Sequence, residues 1–407
     1  MAVHVINEAR RCLQCKKPLC RLQGCPAQTN IPEMIRLFLN GQINEAGAML
    51  FENNPMSIVC SLVCDHEAQC EGHCIQGRKG SSVQISSIEH YISNTYLDKL
   101  IWEREESKGQ RVGIIGSGPA GLTVAIKLAQ KGYDVTIFER MDKIGGMLRY
   151  GIPDFRLPQS ILDRYQGKLR QLGIHIRPNV TIGGTLHMDD LLDDGYDAIF
   201  IGTGVWRPRR LGIKGETLGN CHFAVDYLQN PNVHELGETV AVIGSGNSAM
   251  DVARTAIRTG SRFVTMYARH GYTSSNQREL EYTEADGVNI EYCKGVSEIT
   301  PEGPMIYDIE YAEDGRTRVS EGEPYLAKAD STIIAVSQGP KDKLVNTTKG
   351  IDTNEKGLIA VDENGMTTRE GIFSGGDVVL GPWNVVQAVK DAKHVAEGID
   401  KYLSKKR

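Results

Sequence analysis

The chain has 407 residues, enough for two or three domains of ordinary size. With 40% hydrophobic and 24% charged residues it is typical of a soluble globular protein, and no apolar run approaches the ~20 residues needed to span a bilayer. The net charge of -5 excludes a general attraction to nucleic acid or anionic membranes. The N-terminus lacks the apolar segment of a signal peptide, so we expect a cytoplasmic protein.

Cysteines dominate the first part of the chain. Eight of the ten lie between Cys12 and Cys74, with spacings C-x2-C-x4-C-x4-C-P and then C-x3-C-x5-C-x3-C. Because cytoplasmic thiols stay reduced, this density indicates metal ligands and not disulfides. Structural zinc usually shows two C-x2-C pairs, whereas Cys-Pro is typical of ferredoxin-type ligation, but thiolates suit both metals. At this point the pattern leaves iron–sulfur and zinc open.

Helical patterns surround these cysteines. Ile31-Pro32-Glu33 predicts a helix start with proline in the first turn, and the spacing over residues 85–100 predicts a second, amphipathic helix. The charged stretch 102–111 indicates a linker.

Beyond Arg111 the sequence alternates short apolar strands with helices. Residues 111–140 and 239–269 resemble each other, each predicting strand, glycine turn, helix and strand. Each is followed by a return strand, at 196–204 and 330–339. The final segment, 371–400, predicts strand, turn and helix; it is too short for a domain and is expected to complete one of the earlier units.

The first unit carries a G-x-G-x-x-G motif in the required strand–turn–helix context. Its glycines would permit the tight turn, the approach of a pyrophosphate and close helix packing; they are Gly116, Gly118 and Gly121. The helix start at Pro119-Ala120 offers free N–H groups to phosphates. Glu139, at the end of the second strand, is placed to bind ribose hydroxyls. We therefore expect an adenosine nucleotide with free ribose hydroxyls.

The second unit has the same turn but different chemistry at the strand end. Its turn and helix start comprise Gly244, Gly246, Asn247, Ser248 and Ala249. The strand ends in Ala268-Arg269-His270, with no carboxylate. An arginine here can pair with a 2′-phosphate that a carboxylate would repel, which predicts NADPH. The alternative is that Arg269 and His270 are ordinary surface cations.

Two such sites predict one bound flavin and one exchanging nicotinamide. Hydride transfer between them needs positioning more than a protein acid or base, so no catalytic side chain is predicted. Since flavin can release electrons singly, it is most useful beside one-electron carriers, which favours iron–sulfur over zinc.

Several motifs together resemble the family of the glutamate synthase small subunit and the N-terminal half of dihydropyrimidine dehydrogenase, over nearly the whole chain. They are RCLQC, GCP, VCDHEAQCEGHC, ISSIEHYI, GSGPAGL, FER, GGMLRYGIPDFRLP, GSGNSAMD and GGDVV. The resemblance implies FAD, a pyridine nucleotide and two [4Fe–4S] clusters.

The resemblance also implies the ligands. One cluster would take Cys12, Cys15, Cys20 and Cys74, and the other Cys25, Cys64, Cys70 and Glu89. Cys60 is extra and is expected to be a core residue. Further cofactor-binding candidates are Arg140, Gly146, Met147, Gly204, Gly376 and Asp377, with Arg278 a possible second phosphate contact.

The resulting architecture is α/β: an N-terminal helical iron–sulfur domain and two Rossmann-like domains, the NADP domain inserted in the FAD domain. The expected bounds are 1–108; 109–237 with 340–407; and 238–339. The expected function is electron transfer from NADPH through FAD and the clusters to a partner subunit or ferredoxin. The alternatives are a free-standing ferredoxin–NADP oxidoreductase and a zinc-stapled nucleotide-binding interaction protein.

Overall fold

The computed structural model describes residues 2–184 and 186–406. The predicted bounds at residues 1 and 407 lie outside this range. Contacts divide the chain into two compact units. The first holds the chain up to Arg149, then Asp154–Val205 and the chain from Pro340 on. The second holds Tyr150–Pro153 and Trp206–Gly339.

The first unit begins with five α-helices: α1 (Ala2–Arg10), α2 (Ile31–Leu39), α3 (Ile43–Asn53), α4 (Ser57–Val63) and α5 (Ile85–Leu97). A π-helix covers Cys20–Gly24 and a 3-10 turn covers Ile75–Arg78. Helix α2 starts at Ile31 with proline in its first turn, as predicted, and α5 ends three residues before the expected Leu100. Helix α5 lies at the centre, because α1, α2, α3 and α4 all pack on it. Their shared core is mainly aliphatic, with Ile35, Leu50 and Ile88 fully buried.

A parallel five-stranded sheet and its helices form the rest of the first unit. The strands are β1 (Arg111–Ile115), β2 (Asp134–Phe138), β3 (His175–Arg177), β4 (Ala198–Ile201) and β16 (Ile372–Ser374). Their order in the sheet is β16-β4-β1-β2-β3. Its helices are α6 (Pro119–Gln130), α7 (Met147–Tyr150), α8 (Gln159–Gln171), α9 (Met188–Asp193), α13 (Lys343–Asn346), α14 (Asp377–Leu380) and α15 (Val385–Lys405). The final segment therefore returns to the first nucleotide unit, where β16 adds an edge strand and α15 packs along α6.

The second unit also contains a parallel five-stranded sheet. Its strands are β6 (Cys221–Phe223), β7 (Thr239–Ile243), β8 (Phe263–Tyr267), β9 (Asn289–Glu291) and β14 (Ser331–Ile334). Their order in the sheet is β6-β14-β7-β8-β9. The helices are α10 (Ala224–Gln229), α11 (Asn247–Arg258) and α12 (Gln277–Ala285). An antiparallel group adds β10 (Lys294–Thr300), β11 (Gly303–Tyr311), β12 (Arg318–Glu321) and β13 (Tyr325–Leu326), and β5 (Arg207–Pro208) pairs with β15 (Gln338–Gly339). The predicted α/β architecture with two Rossmann-like sheets is confirmed.

No helix in the described part of the chain combines the length and the apolar character required to cross a bilayer.

The close packing of the buried face of α15 requires a glycine at position 398. A Cβ on Gly398 would lie 2.1 Å from the backbone oxygen of Asn364, whereas a Cβ on exposed Gly167 of α8 would meet nothing within 4 Å. We expect Gly398→Ala to destabilise the protein by about 1–3 kcal/mol through overpacking. Gly167→Ala is the matched control and should stabilise it by about 0.5–1 kcal/mol, because alanine is the better helix former. Thermal unfolding of both holoproteins measures this, and shifts of the same sign would contradict it.

Candidate functional site

The first glycine-rich turn lies at the carboxyl end of β1, where its backbone leaves no room for larger residues. Gly116 has φ 97°, and a Cβ on Gly121 would lie 2.0 Å from the Gly116 oxygen. A Cβ on Gly118, by contrast, would project into open space. Two of the three motif glycines therefore serve the turn itself, and the third leaves backbone accessible to a ligand. This arrangement fits a pyrophosphate at the start of α6.

The Glu139 side chain is buried and holds this turn. One carboxylate oxygen accepts hydrogen bonds from the Ser117 N–H at 2.9 Å and the Ser117 hydroxyl at 2.5 Å. The other accepts from the Met141 N–H at 2.8 Å. The predicted ribose-binding acid thus also ties the end of β2 to the glycine-rich turn, and the motif signal did not reveal that second role.

Other predicted residues reach the same edge of the sheet. A Cβ on Gly146 would lie 2.9 Å from the Gly118 Cα, and one on Gly376 would lie 2.8 Å from the Ala120 Cβ. Met147 begins α7 directly after Gly146. The structure therefore brings segments 145–147 and 375–377 together around the first turn.

Two further candidates occupy the surroundings of this turn. Arg140 follows Glu139 and is exposed, and Gly204 lies beyond the end of β4 with φ 66°. Nothing in their placement assigns either a specific contact to a nucleotide.

Two carboxylates lie beside the turn before α14, one on the first residue of that helix and one on α15. Burial raises the pKa of Asp377 to about 6, opposed by a hydrogen bond from the Trp383 N–H. Asp391 of α15 accepts a hydrogen bond from the Gly376 N–H at 2.6 Å, and Gly376 is in the left-handed region with φ 72°. Sequence analysis missed Asp391, because a single acid on a long amphipathic helix carries no signal of such a contact.

The second unit has an equivalent turn. Gly244 has φ 139°, and a Cβ there would lie 2.4 Å from the Ala335 oxygen, while Ala249 is fully buried at the third position. The Ser274 N–H donates to the Ser245 oxygen at 3.1 Å. The segment after β8 therefore folds back onto the glycine-rich turn, where Asn247 and Ser248 remain exposed.

Arg269 lies two residues beyond the end of β8, after Ala268. It is exposed, and its guanidinium makes no hydrogen bond or ion pair within residues 2–184 and 186–406. Its backbone oxygen accepts a hydrogen bond from the Tyr311 hydroxyl at 2.9 Å, which anchors the main chain. The other candidate, Arg278, donates to the Tyr282 hydroxyl at 3.1 Å on its own helix. Arg269 is therefore the better placed cation for a phosphate beside this strand end.

The first set of predicted cluster ligands lines one cavity: Cys12, Cys15, Cys20 and Cys74. The cavity encloses about 410 Å³, part of it open to solvent, and its walls include Ile31 and Ile35. Burial, followed by the neighbouring Cys74, raises the pKa of Cys20 to about 12. Thiols in such surroundings need a cation to ionise, which fits a metal cluster.

The second set is Cys25, Cys64, Cys70 and Glu89, and its members also lie together. Burial raises the pKa of Glu89 on α5 to about 7, opposed by the Ser57 hydroxyl, which donates to its carboxylate at 2.6 Å. Burial raises the pKa of Cys25 and Cys70, and the hydrogen bond with Cys60 followed by burial raises the pKa of Cys64; the Glu89 charge adds to each of these shifts. A buried acid among thiols has the donor chemistry of a ligand, and nothing in the sequence indicated that Ser57 orients it.

The two sets differ from a site for a single ion. Across residues 2–184 and 186–406, no three Cys, His, Asp or Glu side chains converge closely enough to hold one metal ion. A four-iron cluster instead receives each ligand on a different iron. Cys60 is buried and hydrogen bonds to Cys64, the largest cause of the raised Cys64 pKa.

A chain of hydrogen bonds joins the C-terminal helix to the second set. Lys393 of α15 donates to the Asn53 oxygen at 2.7 Å and to its Oδ1 at 3.1 Å. The Asn53 amide donates to the Thr29 hydroxyl at 3.2 Å, and that hydroxyl accepts from the Cys25 thiol at 3.5 Å. This link between residues far apart in sequence was not predicted.

Comparison with family models gives two matches. Residues 79–194 and 110–392 match the pyridine nucleotide-disulphide oxidoreductase family. Residues 2–100 match the model described as dihydropyrimidine dehydrogenase domain II, 4Fe-4S cluster. The predicted iron–sulfur character of the N-terminal region is confirmed, and the zinc interpretation is set aside.

Individual relatives agree with the family models. The glutamate synthase [NADPH] small chain of Azospirillum brasilense is 34% identical, over 98% of this chain and 89% of that protein. The NAD-dependent dihydropyrimidine dehydrogenase subunit PreT of Escherichia coli is 32% identical, over 98% and 94%. FprA of Mycobacterium tuberculosis, solved with NADPH, shares the fold with a TM-score of 0.61 at 20% identity, over 73% and 85%. The chain therefore belongs to the family of FAD, NAD(P)H and [4Fe–4S] oxidoreductases that contains the glutamate synthase small subunit and the N-terminal half of dihydropyrimidine dehydrogenase.

Proposed function

We propose that this oxidoreductase takes electrons from NADPH onto FAD and passes them through two [4Fe–4S] clusters to a protein partner. The observation that carries the proposal is the grouping of eight candidate ligands into two sets of four, in the same compact unit as the first glycine-rich turn. The proposed domains remain 1–108, 109–237 with 340–407, and 238–339.

The first nucleotide unit would bind the FAD. Free N–H groups at the start of α6 would bind the pyrophosphate, and Glu139 would accept hydrogen bonds from ribose hydroxyls while keeping its bond to Ser117. Gly376 and Asp377 approach the same site from the C-terminal segment. When bound, FAD supplies hydride acceptance from the nicotinamide and release of single electrons.

The second nucleotide unit would bind NADPH, with Arg269 pairing with the 2′-phosphate. Support comes from its free guanidinium and from the absence of an acid between Thr265 and Tyr272. The relatives divide on this point, since the glutamate synthase chains are named for NADPH and the PreT subunits for NAD.

The acceptor would be a partner subunit, because the glutamate synthase and PreT relatives are named as a small chain and as a subunit. The alternative is that the chain is a free-standing reductase and that a ferredoxin accepts its electrons. Purification from the native cell with identification of the associated chain separates the two.

The first prediction concerns iron. We expect about eight irons and one FAD per chain after anaerobic purification, as two four-iron clusters require. Cys64→Ala should remove about half of the iron, whereas Cys60→Ala, at the neighbouring buried thiol, should keep it.

The same measurement tests Glu89. Glu89→Ala should reduce the iron content, and Glu89→Gln should retain most of the iron, because an amide oxygen can still ligate. Equal losses at Cys60 and Cys64 would overturn the ligand assignment.

The second prediction concerns flavin. Glu139→Gln removes a carboxylate that accepts two hydrogen bonds from Ser117 in the turn and one from the Met141 N–H, so we expect lower FAD retention with unchanged iron. Each bond to a charged group contributes about 1.5–3 kcal/mol, so FAD affinity should fall at least tenfold. Exposed Glu106→Gln is the control for charge. FAD titration of the apoproteins measures the effect, and equal affinities would exclude this role.

The third prediction concerns the nucleotide. Arg269→Ala should raise the KM for NADPH about tenfold to hundredfold and leave that for NADH almost unchanged, since only NADPH has the 2′-phosphate. The control is Arg262→Ala, at the opposite end of the same strand. The ratio of kcat/KM for the two nucleotides, measured with an artificial acceptor, is the test. A wild-type preference for NADH would withdraw the NADPH assignment.

A further inference from the structure

A basic surface, formed by two segments that contain no acidic residue, borders the cavity of the first cysteine set. Segments 10–23 and 75–80 contain seven Lys and Arg residues and no Asp or Glu, although the whole chain has a net charge of -5. One of the seven, Arg11, pairs with Glu8 at 2.7 Å. The other six, called here the basic rim, make no ion pair within the described part of the chain: Arg10, Lys16, Lys17, Arg21, Arg78 and Lys79.

The basic rim reaches the cavity from two sides. Lys16 and Lys17 are exposed and lie in the loop between Cys15 and Cys20, which both line the cavity. Arg78 and Lys79 follow Gln76, another lining residue.

Hydrogen bonds hold these two segments together. The Gln76 side-chain amide donates to the Arg11 oxygen at 2.7 Å, and the Arg11 guanidinium donates to the Ser82 oxygen at 3.1 Å. The positive charge is therefore distributed over one continuous surface around the cavity.

Two leucines add an apolar component to this surface. Leu13 and Leu22 are 59% and 51% exposed, and each lies within two residues of a cavity-lining cysteine. Arg36 and Arg164 of the same unit, by contrast, each have a carboxylate partner. Unpaired like charges repel one another, so they favour a negatively charged partner. Small apolar contacts within a charged rim are typical of transient electron-transfer interfaces.

We propose that the basic rim is the docking site for the acidic face of a protein that carries a one-electron redox centre. This inference rests on the proposed function and adds where the acceptor binds and what surface it presents. Oxidation of one NADPH to NADP⁺ and a proton releases two electrons, so two acceptor centres are each reduced by one electron. The cavity inside the rim is lined by the cysteines of the first set, which are candidate iron–sulfur ligands. A partner docked there would lie close to that cluster, which favours an electron carrier over nucleic acid or an anionic membrane.

The test compares two double variants with equal changes in charge. Lys16→Glu with Lys17→Glu reverses the rim, and Lys401→Glu with Lys405→Glu changes exposed lysines on α15. The probe is an acidic two-iron ferredoxin. Its Kd is measured by calorimetry in the oxidised state, and its reduction by NADPH is followed from low to high salt.

For the rim variant we expect a Kd at least about tenfold weaker at low salt and a similar loss in kcat/KM for ferredoxin. The difference from wild type should shrink as salt screens the charges. Reduction of menadione, a neutral acceptor, should be unchanged, and so should iron and FAD content. The α15 variant should match wild type throughout.

A second rim variant, Arg78→Glu with Lys79→Glu, repeats the test on the other segment of the rim. If the Lys16→Glu, Lys17→Glu protein contains less iron than wild type, the second variant decides whether the rim binds ferredoxin. Equal behaviour of rim and α15 variants, or binding that does not change with salt, would overturn the docking site. Rim-dependent binding of duplex DNA or anionic vesicles without ferredoxin binding would also overturn it. Failure of NADPH to bleach the flavin and cluster absorbance would instead overturn the proposed function.

Discussion

The first unit depends on the polar contacts of its C-terminal helix. Asp391 accepts a hydrogen bond from the Gly376 N–H, and Lys393 donates one to the backbone oxygen of Asn53. Asp400 accepts hydrogen bonds from two side chains of the first strand–helix–strand segment. Each contact pairs a partly buried polar group that would otherwise lose hydration without compensation. One helix therefore aligns the candidate flavin turn, the N-terminal helices and the first nucleotide unit. Residues 391–400 therefore complete an arrangement that begins near residue 53.

The N-terminal helices place acidic groups where their ionised forms are unfavourable. Burial raises the pKa of Cys20, Cys70 and Glu89, and neighbouring acidic groups raise the pKa of Cys20 and Cys70 further. A cationic cluster bound in each set would reverse this penalty, because thiolate and carboxylate ligands bind metal in their ionised forms. The helical core around α5 is mainly aliphatic. We therefore expect cluster binding and folding of this region to be coupled.

The two nucleotide units share one backbone design and differ in a few side chains. In the first, Glu139 turns inward and binds Ser117 of its own turn. In the second, Arg269 stands exposed at the corresponding strand end, and the tie to the turn comes from Ser274. A similar strand–turn–helix can therefore serve a resident flavin or an exchanging nucleotide. The difference lies in whether the strand-end side chain supports the turn or faces solvent.

The sequence by itself determined the class of the fold, both glycine-rich turns, the chemistry at both strand ends and the presence of a thiol-rich metal region. These features are local: a left-handed turn needs glycine within a few residues, and a strand followed by a helix has its own periodicity. Spacing alone could not assign eight thiols to two sets; the family resemblance suggested a division, and the structure groups the same residues. Only the tertiary structure revealed the contacts of Ser57, Asp391 and Lys393, because hydrogen bonds between distant segments leave no periodic pattern in the chain.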